Sequence, residues 1–123
     1  MNDIKKKVLD IKLKPIPPTL RQKKRFIKIQ IEAEKKFDFK FISDNLTKEI
    51  IYFIGVIDYS NAGVWILKDK YNEDKQELIL KVSTKTKDKL IAALSLINKF
   101  DRENVKIKTL RVSGTLKGVQ KIN

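Results

Sequence analysis

The sequence predicts an α+β domain in the ferredoxin-like, or split, β-α-β-β-α-β order: a four-stranded antiparallel sheet, two helices on one face, and a basic N-terminal arm. Three observations carry this. Several short runs alternate apolar and polar residues, two longer stretches with helical periodicity separate them, and a polar turn between the second and third strands suits a hairpin. In this order the first and third strands are central and one face of the sheet stays uncovered.

The first strand is read over Arg25 to Ala33, with Ile27, Ile29 and Ile31 on one face and Phe26, Lys28 and Gln30 on the other. Glu34 to Ile42 then reads as a loop in which Phe37, Phe39 and Phe41 alternate, either as an extra short strand or as three anchors onto the core. Ser43 serves as N-cap, and Leu46, Ile50, Phe53, Ile54 and Ile57 place the first helix at about Asp44 to Asp58. Tyr59 to Gly63 stops it.

Val64 to Lys70 reads as the second strand, with Trp65 and Leu67 opposite Val64 and Ile66. Core packing is the expected fate of Trp65. The polar turn Asn72-Glu73-Asp74-Lys75 leads into the third strand, Gln76 to Val82. Ser83 to Thr86 offers N-caps for a second helix reaching about Lys99, with Leu90, Leu94 and Ile97 as its stripe. Asp101 to Asn104 turns the chain into a fourth strand, Val105 to Val112, and a short basic tail with Lys117 and Lys121 follows Ser113-Gly114.

Ahead of the sheet, residues 1–14 form an N-terminal extension whose apolar spacing fits a helix, a strand or a frayed tail. Residues 15–123 are read as the single domain. All three prolines fall at Pro15, Pro17 and Pro18, so helix is discouraged there and an extended arm approaches the domain. Arg21, Lys23, Lys24, Arg25 and Lys28 follow at once. Charge alone leaves a solvated loop and a nucleic-acid contact evenly balanced.

Composition narrows the choice. Lys and Arg number 28 against 15 Asp and Glu, a net charge of +13 over 123 residues, which suits a polyanion. No basic amphipathic helix of membrane-binding type stands out, and no apolar run approaches the roughly 20 residues of a membrane span. With no Cys and no His, disulfides, Cys/His zinc sites, thiol nucleophiles and imidazole catalysis are excluded. A soluble, cytoplasmic protein is expected.

With the isoleucines turned to the helices, Lys28, Lys81, Lys106 and Lys108 converge on the open face. Like charges on adjacent strands repel, so Glu77, Glu32 or a bound phosphate backbone is expected to offset them. The third strand shows no outward aromatic and only Phe26 is available on the first, so sequence-specific base stacking is poorly supported. Backbone and shape recognition of structured RNA fits better. Acylphosphatases share this order of elements, but Glu34 to Ser43 lacks the Gly and Arg of their phosphate loop. Asp69, Glu73 and Asp74 lie near one hairpin, where such residues usually form turns rather than a metal site. No catalytic residues and no metal ligands are assigned.

Three stretches also resemble one family. They are Pro17-Pro18-Thr19-Leu20-Arg21 with its basic run; Leu80-Lys81-Val82-Ser83 with a helix containing Ala92-Ala93-Leu94-Ser95-Leu96-Ile97; and Lys106 to Lys117, containing Arg111-Val112-Ser113-Gly114-Thr115. In this order they resemble archaeal ribonuclease P protein component 2, an RRM-like RNA-binding subunit family. Lys81 stands where the family often has Arg, and the Phe37 loop matches nothing in it.

The resemblance implies a non-catalytic subunit of ribonuclease P, the endonuclease ribonucleoprotein that removes 5′ leaders from precursor transfer RNA. The chemistry would belong to the RNA with bound magnesium, and this chain would hold no cofactor. The implied partners are ribonuclease P RNA, ribonuclease P protein component 3 (a TIM-barrel-like subunit) and other ribonuclease P proteins, with precursor transfer RNA met through the holoenzyme. Arg21, Lys23, Lys24, Arg25, Lys28, Lys81, Arg111 and Lys117 are the expected RNA contacts. Ser113 and Gly114 serve either as a turn that admits RNA to the backbone or as a plain strand ending. The alternative is a basic structural RNA-binding protein of ribosomal type.

Overall fold

A computed structural model describes residues 23–120. The N-terminal extension, the proline arm with Arg21, and Lys121 lie outside the described residues. The strand predicted at Arg25 to Ala33 is β1, Lys24–Glu32. Its alternation does what the pattern demands: Ile27, Ile29 and Ile31 are at most 2% exposed. Each isoleucine removed from water in this way stabilises the fold by about 1.5–3 kcal/mol.

Three helices cover that apolar side. Helix α1 spans Phe39–Ile54 and α2 Val56–Ala62. After β2, Trp65–Ile66, a 3-10 turn at Lys68–Lys70 leads to β3, Glu77–Ser83. Helix α3 is Lys87–Leu96. A two-stranded hairpin, β4 (Lys99–Phe100) and β5 (Glu103–Asn104), precedes β6, Lys106–Ser113, and α4, Leu116–Gln120. The main sheet has the order β2-β3-β1-β6. Its neighbours pair antiparallel throughout, with β1 and β3 central as the sequence predicts.

Several elements depart from the sequence reading. Helix α1 starts five residues earlier than expected because Asp38, not Ser43, is its N-cap: Asp38 Oδ1 accepts the Phe41 N–H at 2.8 Å. The expected single helix to Asp58 is broken at Gly55, whose φ of 86° no helix contains. The second strand shrinks to two residues, and the turn at Asp101–Asn104 is part of the β4–β5 hairpin, with Asp101 at φ 61°.

The phenylalanine loop is an anchor rather than an added strand. Phe37 is buried and stacks on Phe41 with ring centroids 4.7 Å apart, while Phe100 closes the cluster at 6.3 Å from Phe37. Buried Gln76 ties the loop down. It accepts the Phe37 N–H at Oε1 (2.9 Å) and donates from Nε2 to the carbonyls of Ile31 and Lys35. Tyr71 adds its hydroxyl to the Phe37 carbonyl at 2.6 Å. A buried polar group here is fully satisfied, so the loop gains rigidity without leaving an orphan.

Two features decide what the open face displays. One is a bulge. Lys28 pairs with Arg111 but Ile29 pairs with Thr109, so Leu110 is an extra residue in β6. Beyond it the alternation inverts: Arg111, which strict alternation would put with Ile107 on the helix side, joins Lys28 on the open side. The other is α4, a helix where the sequence reading expects only a basic tail. Thr115 Oγ1 caps it by accepting the Gly118 N–H at 3.0 Å. Val119 is fully buried, and Gln120 shares a pocket with the open-face residues Lys28, Glu77 and Ile79. Part of the uncovered face is thus roofed, and Ile79, which faces it, is 3% exposed.

Candidate nucleic-acid interface

Side chains of directly opposed residues share a face, so the registers define rows across the open side. The first row runs Trp65, Lys81, Phe26, Ser113; the second continues through Ile79, Lys28 and Arg111; the third through Glu77, Gln30 and Lys108. Lys106 stands opposite Glu32 at the far end. The lysines are offset as repulsion between strands requires. Lys28 Nζ pairs with Glu77 at 3.3 Å and Lys108 Nζ with Glu32 at 2.7 Å.

The pairs differ in setting. Lys28 and Glu77 are 19% and 17% exposed at their side chains, beneath the edge of α4, whereas Lys108 and Glu32 stand half in solvent at 49% and 43%. The hydrogen bond from Lys108 holds the Glu32 carboxyl below its ordinary range; partial desolvation opposes this, and the charges of Lys108 and Lys106 assist.

Of the eight expected RNA contacts, Arg21 lies outside the described residues. Lys24, Lys81 and Arg111 share the open face toward the end where β1 begins and β3 and β6 end. Arg25, opposite Val82, alternates onto the helix side at that end, and Lys23 just precedes β1. Thr84 fixes the entry by donating its N–H and its hydroxyl to the Lys23 carbonyl, each at 2.8 Å. Lys24 is opposite Ser83, and its ammonium reaches the Gly63 turn. Arg25 donates to the Lys24 carbonyl at 3.0 Å and brings its guanidinium beside Gly114. Lys81 Nζ stands 6.0 Å from the centroid of the Phe26 ring. Lys117 is exposed on α4, just past the Ser113-Gly114 turn. Lys28 is largely covered and paired with the Glu77 carboxylate.

The Ser-Gly-Thr turn has a structural task. Ser113 Oγ accepts the Thr115 N–H at 3.3 Å, and Thr115 in turn caps α4. A Cβ on Gly118 would lie 2.2 Å from Ser113 Oγ, so a larger residue there would displace the hydroxyls that hold α4 to the end of β6. The signal for this helix is in the sequence as a Thr N-cap and an apolar Leu116 and Val119, spaced by one turn.

Trp65 corrects the expectation of core burial: it is 66% exposed. Its neighbours Val64 and Ile66 pack on the core instead, so the indole must point the other way. The alternation around it carried that signal. Asp69, Glu73 and Asp74 do not form a donor set, and among the described residues no three or more acidic, His or Cys side chains cluster to hold a metal ion. No helix among the described residues is long and apolar enough to cross a membrane.

A basic strand-end cluster on a split β-α-β sheet defines a class, a small α+β domain suited to binding a polyanion. The relatives narrow it. Residues 25–122 match the Rpp14/Pop5 family, and the chain belongs to that family. Ribonuclease P protein component 2 of Methanobrevibacter smithii is 30% identical over 118 residues, covering 90% of this chain and 97% of the relative. The protein of the same name from Thermococcus kodakarensis is 31% identical over 110 residues, covering 89% and 90%. A chain in the cryo-EM structure of yeast ribonuclease MRP superposes with a TM-score of 0.62 at 15% identity, over 78% of this chain and 77% of that one, a likeness of fold.

Proposed function

We propose that this chain is a protein subunit of ribonuclease P, the ribonucleoprotein that removes 5′ leaders from precursor transfer RNA, and that it binds and stabilises the catalytic RNA through phosphates and shape. One observation carries the reading: in a chain of the Rpp14/Pop5 family, the bulge in β6 turns Arg111 onto the open face that also bears Lys81 and Lys24. A bulge re-aims a side chain at the cost of ladder hydrogen bonds, and here it brings a guanidinium onto the open face. A guanidinium on that face suits bidentate contact with phosphate.

In this reading Lys23, Lys24, Arg25, Lys81, Arg111 and Lys117 meet phosphates, joined by Arg21 from the arm. Lys28 is assigned to the sheet, where it neutralises Glu77. The chain supplies no general acid, base or nucleophile to the cleavage, and hydrolysis falls to the RNA with its magnesium. Ribonuclease P protein component 3 is the proposed protein partner, and the cytoplasm the proposed site of action.

The test is reconstitution: cleavage of a precursor transfer RNA by ribonuclease P RNA and component 3, with and without this protein. Cleavage rises on its addition, and charge reversal at Lys24 and Arg25 removes the gain. RNA binding with cleavage unchanged would instead make this a structural RNA-binding protein of another particle.

A further inference from the structure

Base stacking has little support on the central strands, yet the structure supplies a platform beside them. An indole is the largest apolar surface a side chain can bury, and the chain leaves Trp65 66% exposed. It stands at the start of edge strand β2, directly opposite Lys81. Lys81 is half-buried and its ammonium is drawn toward Phe26 on the next strand. On its other side the indole borders an open groove of about 780 Å³, walled by the rings of Phe39 and Tyr59, the hydroxyls of Ser43 and Thr47, and the Lys68–Asp69 turn.

We infer that Trp65 is a stacking platform for an unpaired base of the bound RNA, with Lys81 and Lys68 holding the phosphates on either side of it. The inference rests on the reading of the chain as an RNA-binding subunit and adds the nucleotide class it takes. The charge around the indole argues for this occupant. Two lysines flank the site against one carboxylate, on a chain of net charge +13. A flat π surface with lysines nearby suits a base whose phosphates need neutralising, and stacking of this kind is tolerant of base identity. Duplex RNA buries its base faces, so the ligand is a loop, bulge or end whose bases are splayed out. The groove hydroxyls then lie within reach of the base edges.

Trp65 is the chain's only tryptophan, so its emission reports this site alone. The full-length protein is titrated with a single-stranded oligoadenylate, with a blunt RNA duplex of equal length, and with component 3 protein. The single strand quenches emission saturably and the duplex does not. Trp65→Ala weakens single-strand binding by about 5- to 150-fold, Trp65→Phe keeps most of it, and Trp65→Leu behaves like Trp65→Ala. Because the side chain is exposed, all three variants keep the unfolding midpoint of the parent.

Binding of the single strand in a gel shift with unchanged emission overturns the inference, as does a Trp65→Leu variant of full affinity. Emission that responds to component 3 and not to RNA overturns it in favour of a protein-docking groove. None of these results touches the subunit reading, which fails separately if the parent protein leaves reconstituted cleavage unchanged.

Discussion

Neighbouring residues of β1 live in opposite surroundings. Ile27, Ile29 and Ile31 are at most 2% exposed against the helices, while Phe26, Lys28, Gln30 and Glu32 alternate with them on the other side, facing Lys81, Arg111 and Lys108. The helix-covered face is closed and apolar, so its free energy comes from area removed from water and from packing. The open face carries cations, among which Lys28 and Lys108 are offset by Glu77 and Glu32. One face therefore holds the fold and the other displays most of the sheet's charge. The division is not complete, because α4 roofs part of the open side and buries Ile79 and Val119 there.

The largest effect tests the closed face. Leu80, fully buried on the central strand β3, should cost about 2–5 kcal/mol when truncated in Leu80→Ala, read from urea unfolding. The molecules that remain folded should bind RNA as before. A loss of RNA affinity without loss of stability would merge the two faces again.

A second substitution probes where the division fails. Glu77→Ala strands the largely covered Lys28 ammonium, and unfolding should show a loss of about 1–3 kcal/mol, well above the usual cost of a surface change. Replacing both partners, Lys28→Met with Glu77→Leu, should recover most of it, since apolar residues of similar volume pack where a half-buried ion pair stood. Recovery would assign this patch to the fold. Unchanged stability in Glu77→Ala would return Lys28 to the ligand-facing set.

The faces differ as well in how far the sequence reveals them. The closed face was legible because period-two alternation and the Leu90, Leu94, Ile97 stripe report burial directly. The β-α-β-β-α-β order followed, and the observed strand order agrees with it. What escaped depends on single residues with two plausible uses. Asp38 and Ser43 are both sound N-caps, and the anchoring of Phe37 by Gln76, a contact between residues 39 apart, chose the earlier one. Gly55 inside a helical period does not announce a break. The bulge at Leu110 is invisible to alternation, which would have sent Arg111 to the wrong face. At the candidate interface, the cations are legible as a charge run, but which of them share a face is a matter of register. For Trp65, alternation with the core-packed Val64 and Ile66, not the size of the indole, decides the face.

A third measurement concerns the cations themselves. Removing one phosphate contact should lower the slope of log affinity against log salt by about 0.9. Lys117→Ala and Lys81→Gln should each do this for ribonuclease P RNA, with stability changed by less than about 1 kcal/mol. Lys28→Gln should leave the slope alone while destabilising the fold. If all three variants shift the slope equally, the open face acts as a diffuse field and the strand-end cluster loses its special standing.

The smallest expected effect comes from Glu32, whose ion pair occupies Lys108. Its carboxyl is held below the ordinary value of 4.5 mainly by the Lys108 hydrogen bond. For a depressed acid the unfolded chain takes up its proton first as pH falls. The pair's contribution is thus present above the ordinary carboxylate value and disappears as pH drops through the lowered one. Both side chains are nearly half exposed, so salt screens the pair and the stability change is slight. The functional sign is opposite: Glu32→Gln frees Lys108, and RNA affinity should rise modestly with a salt slope steeper by up to about 0.9. The same gain should appear in the parent as pH falls below the carboxylate range, and be absent from Glu32→Gln. Titrating both proteins with RNA across that range separates the cases, because a variant that matches the parent at every pH would place Lys108 beyond the RNA footprint and confine the ligand to the strand end near Lys81.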